Sequence, residues 1–88
     1  MKNQFKLYLI SKGYKQFTPS GHPSTVYDYC KRIDFIANEE GLNWTELASQ
    51  IEKILSRYDD GGPKQALGRK SHHAVINALR RFSEFLSK

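Results

Sequence analysis

The chain has 88 residues with a formal net charge of +5, and its single cysteine excludes an internal disulfide. No apolar run approaches the roughly 20 residues that span a bilayer, so we expect no membrane segment. A domain of this size buries only roughly 60 to 65% of its unfolded surface, which argues against an elaborate active site and predicts one domain over residues 1–88.

The charge is divided into three blocks along the chain. Residues 1–33 carry six basic residues against one acidic residue, residues 34–60 carry two against seven, and residues 61–88 again carry six against one. If the first and last blocks fold side by side, the molecule has a cationic face and an anionic back. That distribution suits a polyanionic partner.

The first half of the chain predicts two helices joined by a turn-rich segment. The first runs from Asn3 to Lys12 and is stopped by Gly13. Residues 14–23 are rich in proline and glycine and predict a connection. The second helix starts at Ser24, whose side-chain oxygen suits an N-cap, and ends at Gly41. Its apolar residues recur at helical spacing.

The second half predicts two more helices. Asn43 and Glu46 have the spacing of a capping box and open one continuous helix from Trp44 to Tyr58. Residues 62–71 predict a flexible linker. Ser71 is then expected to cap the last helix. No segment alternates with period two, so the predicted fold class is an all-α bundle of four helices without a sheet.

The order of these elements resembles the N-terminal core-binding, SAM-like domain of tyrosine recombinases and phage integrases, over nearly the whole chain. The resemblance lies in four features. The first helix ends near Gly13, and a second opens at Ser24-Thr25 with Tyr29 and Ile33. Gly41-Leu42-Asn43-Trp44-Thr45 opens a third, and Lys70-Ser71 leads into Ala78-Leu79-Arg80-Arg81-Phe82 and Phe85-Leu86. In that family the domain grips one side of a DNA duplex during DNA recombination, and a separate C-terminal domain cleaves the strand. The resemblance therefore implies a non-catalytic DNA-binding module.

The predicted contacts with double-stranded DNA lie mainly on the second and last helices. Basic side chains there meet phosphates, and Asn77 or an arginine reaches a base edge. Ser71 offers a helix N-terminus, and Thr25 enters through the resemblance. The predicted set is Thr25, Lys31, Arg32, Arg69, Lys70, Ser71, His73, Asn77, Arg80 and Arg81. The alternative is a solvated face on which Arg80 or Arg81 pairs with Glu84.

Other functions are less well supported by the sequence. No zinc-type ligand spacing is present, and no tyrosine has an assembled activating set, so we expect no metal, cofactor, small-molecule substrate or catalysis. The main alternative function is a protein-interaction module that uses the acidic third helix, with Glu46, Glu52, Asp59 and Asp60. An RNA-binding module ranks lowest because the sequence shows no evident aromatic stacking platform. The lone cysteine and the absence of a signal-peptide pattern predict a cytoplasmic protein.

Overall fold

A computed structural model describes residues 1–87, which form six helices and no strand. The helices are α1 (Lys2–Ser11), α2 (Thr25–Glu40), α3 (Trp44–Ser49), α4 (Ile51–Tyr58), α5 (Gln65–Gly68) and α6 (Lys70–Ser87). The all-α class is confirmed. The number of helices is six rather than four, because the predicted third helix is broken and the predicted linker contains a helix.

The boundaries of α1 and α2 agree closely with the prediction. Ser24 occupies the N-cap position of α2, although its side chain makes no capping hydrogen bond. Gly41 ends α2 in the left-handed conformation with φ of 68°, which glycine adopts without a steric cost. The connection between the two helices is built of turns, as expected.

The prediction of one continuous helix from Trp44 to Tyr58 was wrong. The capping box of Asn43 and Glu46 is present, but the helix breaks at Gln50, where φ is −118° and ψ is 21°. At the end of α3 the Ser49 hydroxyl donates to the Glu46 carbonyl oxygen at 2.7 Å. The break lets α3 pack against α2 while α4 packs against α6.

The predicted linker is in fact packed against α4. The Lys64 amide donates to the Arg57 carbonyl oxygen at 2.8 Å, and the buried Gly68 of α5 lies against Tyr58. A Cβ added at Gly68 would stand 2.0 Å from the Tyr58 carbonyl oxygen, so only glycine allows this approach of the two backbones.

Ser71 does not cap α6, contrary to the prediction. Ser71, His72 and His73 have positive φ angles of 57°, 57° and 69°, so they form a left-handed turn inside the span of α6. Such a conformation costs an L-residue roughly 1 to 2 kcal/mol, and it is not the extended conformation of an N-cap. The amide of His73 instead donates to the Arg69 carbonyl oxygen at 3.0 Å.

The core is centred on an aromatic cluster where α1, α3 and α6 meet. The Phe5 and Phe82 rings are fully buried with centroids 5.2 Å apart, and Trp44 lies 5.4 Å from Phe82. The indole N–H of Trp44 donates to Asp34 of α2 at 2.8 Å, which satisfies its only polar group. The other oxygen of Asp34 accepts from Lys2 of α1 at 2.8 Å. This cluster fixes α1 and α2 beside α6.

Candidate nucleic-acid interface

Every arginine of the chain forms an ion pair with a carboxylate. The five pairs are Arg32–Asp28 (3.3 Å), Arg57–Glu40, Arg69–Asp60 (3.0 Å), Arg80–Asp59 (2.8 Å) and Arg81–Glu84 (2.8 Å). Arg81 also donates to the Tyr14 hydroxyl at 3.2 Å, which ties α6 to the start of the connection between α1 and α2.

These pairs change the expected separation of charge. The first and last blocks do pack together, since α1, α2 and α6 all contact one another. However, Arg69 and Arg80 of the last block reach Asp60 and Asp59 of the acidic block. The positive charge of the last block is therefore partly neutralised within the fold.

Glu40 is the centre of the most buried pair. Its side chain is only 5% exposed and accepts from Arg57, from Lys64 at 2.7 Å and from the Tyr58 hydroxyl at 2.8 Å. Burial by itself raises the pKa of the Glu40 carboxyl, but the hydrogen bonds from Lys64 and Tyr58 and the two nearby cations outweigh it and hold the pKa below its usual value. Burial and the Glu40 carboxylate together raise the pKa of the Tyr58 hydroxyl.

The lysines behave differently from the arginines. Among residues 1–87, only Lys2 and Lys64 form ion pairs. The others, which make none in that range, are Lys6, Lys12, Lys15, Lys31, Lys53 and Lys70. The ammonium groups of Lys6 and Lys70 instead lie over aromatic rings of α2, 4.7 Å from the centroid of Tyr27 and 4.8 Å from that of Phe35.

We use the name lysine stripe for the surface formed by Lys6, Tyr27, Lys31, Phe35 and Lys70. Tyr27, Lys31 and Phe35 follow one another at four-residue spacing, so they share the outer face of α2. Eight residues of helix rise by about 12 Å, so three cations are distributed over about that length. The flanking carboxylates Asp28 and Asp34 are engaged by Arg32 and Lys2.

The predicted site residues are placed in different surroundings by the structure. Lys31 and Lys70 belong to the lysine stripe, and Thr25 is the half-buried first residue of α2. Arg32, Arg69, Arg80 and Arg81 are in the ion pairs above. Ser71 and His73 lie exposed in the left-handed turn, and Asn77 is half-buried on α6. The predicted set is thus divided among the lysine stripe, the ion pairs and the left-handed turn, and its role in DNA binding stays a prediction.

The acidic residues of the alternative function are also largely engaged within the fold. The Glu46 carboxylate accepts from the Asn43 amide at 3.0 Å, and Asp59 and Asp60 hold Arg80 and Arg69. Glu52 alone of the four has no such partner among residues 1–87.

Sequence reasoning missed an aromatic pair beside the lysine stripe. The residue Phe17 is 49% exposed, and the centroid of its ring lies 5.6 Å from that of Tyr27. The two residues are ten positions apart on different elements, so neither helical spacing nor composition joins them. The structure pairs Phe17 with Pro23 across the turn, and this pairing returns the chain to the start of α2.

The remaining chemistry-bearing residues do not form a second site. No group of three or more histidine, cysteine or acidic residues within residues 1–87 has the arrangement of a metal site. Cys30 is buried in α2, and burial raises the pKa of its thiol. Within the same range, no helix combines the length and apolarity required to cross a membrane.

Comparison with known proteins adds no relative: no family model, curated protein or solved structure matches the chain.

Proposed function

We propose that this chain is a non-catalytic DNA-binding module that contacts the phosphate backbone through the lysine stripe. The observation that carries the proposal is that three ammonium groups, contributed by α1, α2 and α6, lie along the outer face of α2 without a carboxylate partner among residues 1–87. An aromatic ring restrains an ammonium group but leaves its net charge in place, whereas a carboxylate cancels that charge. The lysine stripe therefore keeps its attraction for a polyanion.

The dimensions of the lysine stripe agree with a DNA backbone. Successive phosphates of one strand advance by about 3.4 Å along the duplex axis, so about 12 Å corresponds to three or four nucleotides. Three lysine contacts of this kind predict that log K falls against log salt with a slope of roughly −2.7.

The resemblance to integrase core-binding domains supports duplex DNA as the polyanion and supports a module that does not itself cleave. The paired arginines rank below the lysine stripe as contacts, because each would first have to leave its carboxylate. The alternative of a protein partner at the acidic third helix is supported by no contact of the described residues.

The test is fluorescence anisotropy with a labelled duplex of 20 base pairs at several salt concentrations. We expect Lys31→Gln to weaken binding about tenfold and to reduce the salt slope by about one. Lys53→Gln is the matched control, because Lys53 is equally exposed and unpaired within residues 1–87 but lies on α4. Equal losses for the two variants would show that binding follows overall charge and would contradict the proposed surface.

A further inference from the structure

We infer that the exposed ring of Phe17 is a stacking site for an unpaired base of the bound DNA. This inference rests on the proposed function and extends it, since it names the substrate class as a duplex that carries an unpaired nucleotide. Four observations carry it: an ordered loop, an exposed aromatic residue, cations near its aromatic neighbour and a cleft beside that neighbour.

The loop that carries Phe17 is held by backbone hydrogen bonds of the residues that precede and follow Phe17 in the sequence. The amide of Thr18 donates to the His22 carbonyl oxygen at 2.8 Å, and the amide of Gly21 donates to the Thr18 carbonyl oxygen at 2.9 Å. At the base of the loop, the Ser24 amide donates to the Gln16 carbonyl oxygen at 2.9 Å. Phe17 is thus presented by an ordered turn, so stacking on it needs little further ordering of the backbone.

The aromatic pair leaves one ring available. The ammonium group of Lys6 lies over the Tyr27 ring, and Tyr27 in turn contacts Phe17 with an angle of 49° between the two rings. Tyr27 therefore positions its neighbours, while Phe17 exposes about half of its surface to solvent. A planar aromatic ring held beside cations is the arrangement on which bases stack in proteins that bind single strands.

A shallow cleft lies beside Tyr27, the residue that the Phe17 ring contacts, and extends to Lys31 of the lysine stripe. Its volume is about 190 Å³, and it is lined by Pro23, Ser24, Tyr27, Asp28 and Lys31. This is smaller than the pockets that enclose a whole small molecule, and it suits the sugar or phosphate of one nucleotide. The carboxylate of Asp28 in the cleft is paired with Arg32, so the net charge next to Lys31 stays positive.

The occupant must be an unpaired base because a paired base inside a duplex has both of its faces covered by neighbours. A protein ring reaches such a face only after the bases unstack, which costs free energy. A nucleotide in an overhang or gap offers its face without that cost. The lysine stripe then lies on the adjacent phosphates of the duplex.

The experiment compares a blunt duplex of 20 base pairs with the same duplex extended by a three-nucleotide overhang that contains 2-aminopurine. The wild-type protein is expected to bind the overhang duplex about tenfold more tightly than the blunt duplex and to quench the 2-aminopurine fluorescence. Phe17→Ala should lose both the tighter binding of the overhang duplex and the quenching of 2-aminopurine. Its affinity for the blunt duplex should be unchanged. Phe17→Trp should keep both effects.

Leu7→Ala is the matched control, because Leu7 is 65% exposed and lies on α1 outside the aromatic pair. It should behave as the wild type. Equal affinity of the wild type for both duplexes, or an overhang gain that survives Phe17→Ala, would overturn the inference and leave the proposed function standing. Absence of salt-dependent binding to the blunt duplex as well would overturn both.

Discussion

The lysine stripe holds three cations, and the arginine region, defined as Arg69, Arg80 and Arg81, holds three more, but the two regions differ in what contacts each charge. Arg69 and Arg80 lie against Asp60 and Asp59, while Lys6 and Lys70 lie against Tyr27 and Phe35. Guanidinium groups suit carboxylates because their planar donors match two oxygens, and ammonium groups act as compact point charges. A formal count of charge treats the two regions alike, whereas the contacts show that these arginines are paired with carboxylates and that, among residues 1–87, the lysines of the stripe are not.

The boundary between the two regions falls between neighbouring residues. Arg69 points to the acidic block and Lys70 points to α2, and the left-handed turn at Ser71, His72 and His73 follows directly. If the two regions are as separate as these contacts indicate, a change in one should leave the property of the other unaltered.

The largest effect on stability is expected at Glu40, which pairs with Arg57 and Lys64. Glu40→Gln should lower the free energy of unfolding by about 2 kcal/mol, since Arg57 and Lys64 lose a buried partner but remain partly exposed to water. Urea unfolding measures this, with Glu39→Gln as the control because Glu39 is its exposed neighbour. DNA affinity should not change. Equal stability of the two variants would contradict the role of Glu40.

The same variant should change the dependence of stability on pH. The folded-state pKa of Glu40 lies below its unfolded value of about 4.3, so its contribution is complete above that pH and is lost as the pH falls through the folded-state pKa. The difference in stability between the wild type and Glu40→Gln should therefore narrow below about pH 4. A constant difference from pH 7 to pH 3 would show that the charge of Glu40 is not what stabilises the fold.

At the turn between the regions, His72→Gly should increase the free energy of unfolding by about 1 kcal/mol. Glycine adopts the left-handed conformation of His72 without the penalty that a side chain carries. Ser83→Gly in the regular part of α6 is the control and should destabilise by about 0.5 kcal/mol. A loss of stability for both variants would contradict the left-handed turn.

On the lysine stripe, Phe35→Leu should weaken DNA binding by about two- to threefold, because Lys70 loses the ring that restrains its ammonium group. Phe35→Tyr keeps a ring and should bind as the wild type does. Anisotropy titration distinguishes them. Equal affinities for the leucine and tyrosine variants would show that the ring does not organise Lys70.

The smallest effect is expected for the exposed pair of Arg80 and Asp59. The backbone amide of Asp60 and the Arg80 guanidinium hold the pKa of Asp59 below its usual value, yet both side chains are well exposed. A double-mutant cycle with Arg80→Gln and Asp59→Asn should therefore give a coupling of about 0.5 kcal/mol that decreases with salt. A coupling above 2 kcal/mol would mean that this pair is as important to the fold as Glu40.

Much of the helical architecture could be predicted because the signals are local. The apolar spacing of α2, its end at Gly41 and the capping box of Asn43 and Glu46 all depend on residues within a few positions of one another. The break at Gln50 and the turn at His72 could not be predicted in this way. The break accompanies the packing of α3 and α4 against different helices, and the turn departs from local conformational preference.

The candidate site was predictable only in part for the same reason. Lys31 and Phe35 follow from the spacing of α2. The partners of the arginines and the positions of Lys6 and Phe17 depend on contacts between elements, such as the one between Lys6 and Tyr27. The number of charged residues can be read from the sequence, but which of them form pairs depends on how the helices pack.

Whether the lysine stripe, and not the arginine region, binds the DNA backbone is tested most directly with two triple variants. Each variant removes the same charge from one of the two regions. Lys6, Lys31 and Lys70 are changed to glutamine in one, and Arg69, Arg80 and Arg81 are changed to glutamine in the other. The slope of log K against log salt is then measured for a 20-base-pair duplex. We expect the slope of the lysine variant to fall by roughly 2.7 in magnitude, while the arginine variant keeps most of its slope. Equal slopes for the two variants, or a greater loss for the arginine variant, would contradict this expectation.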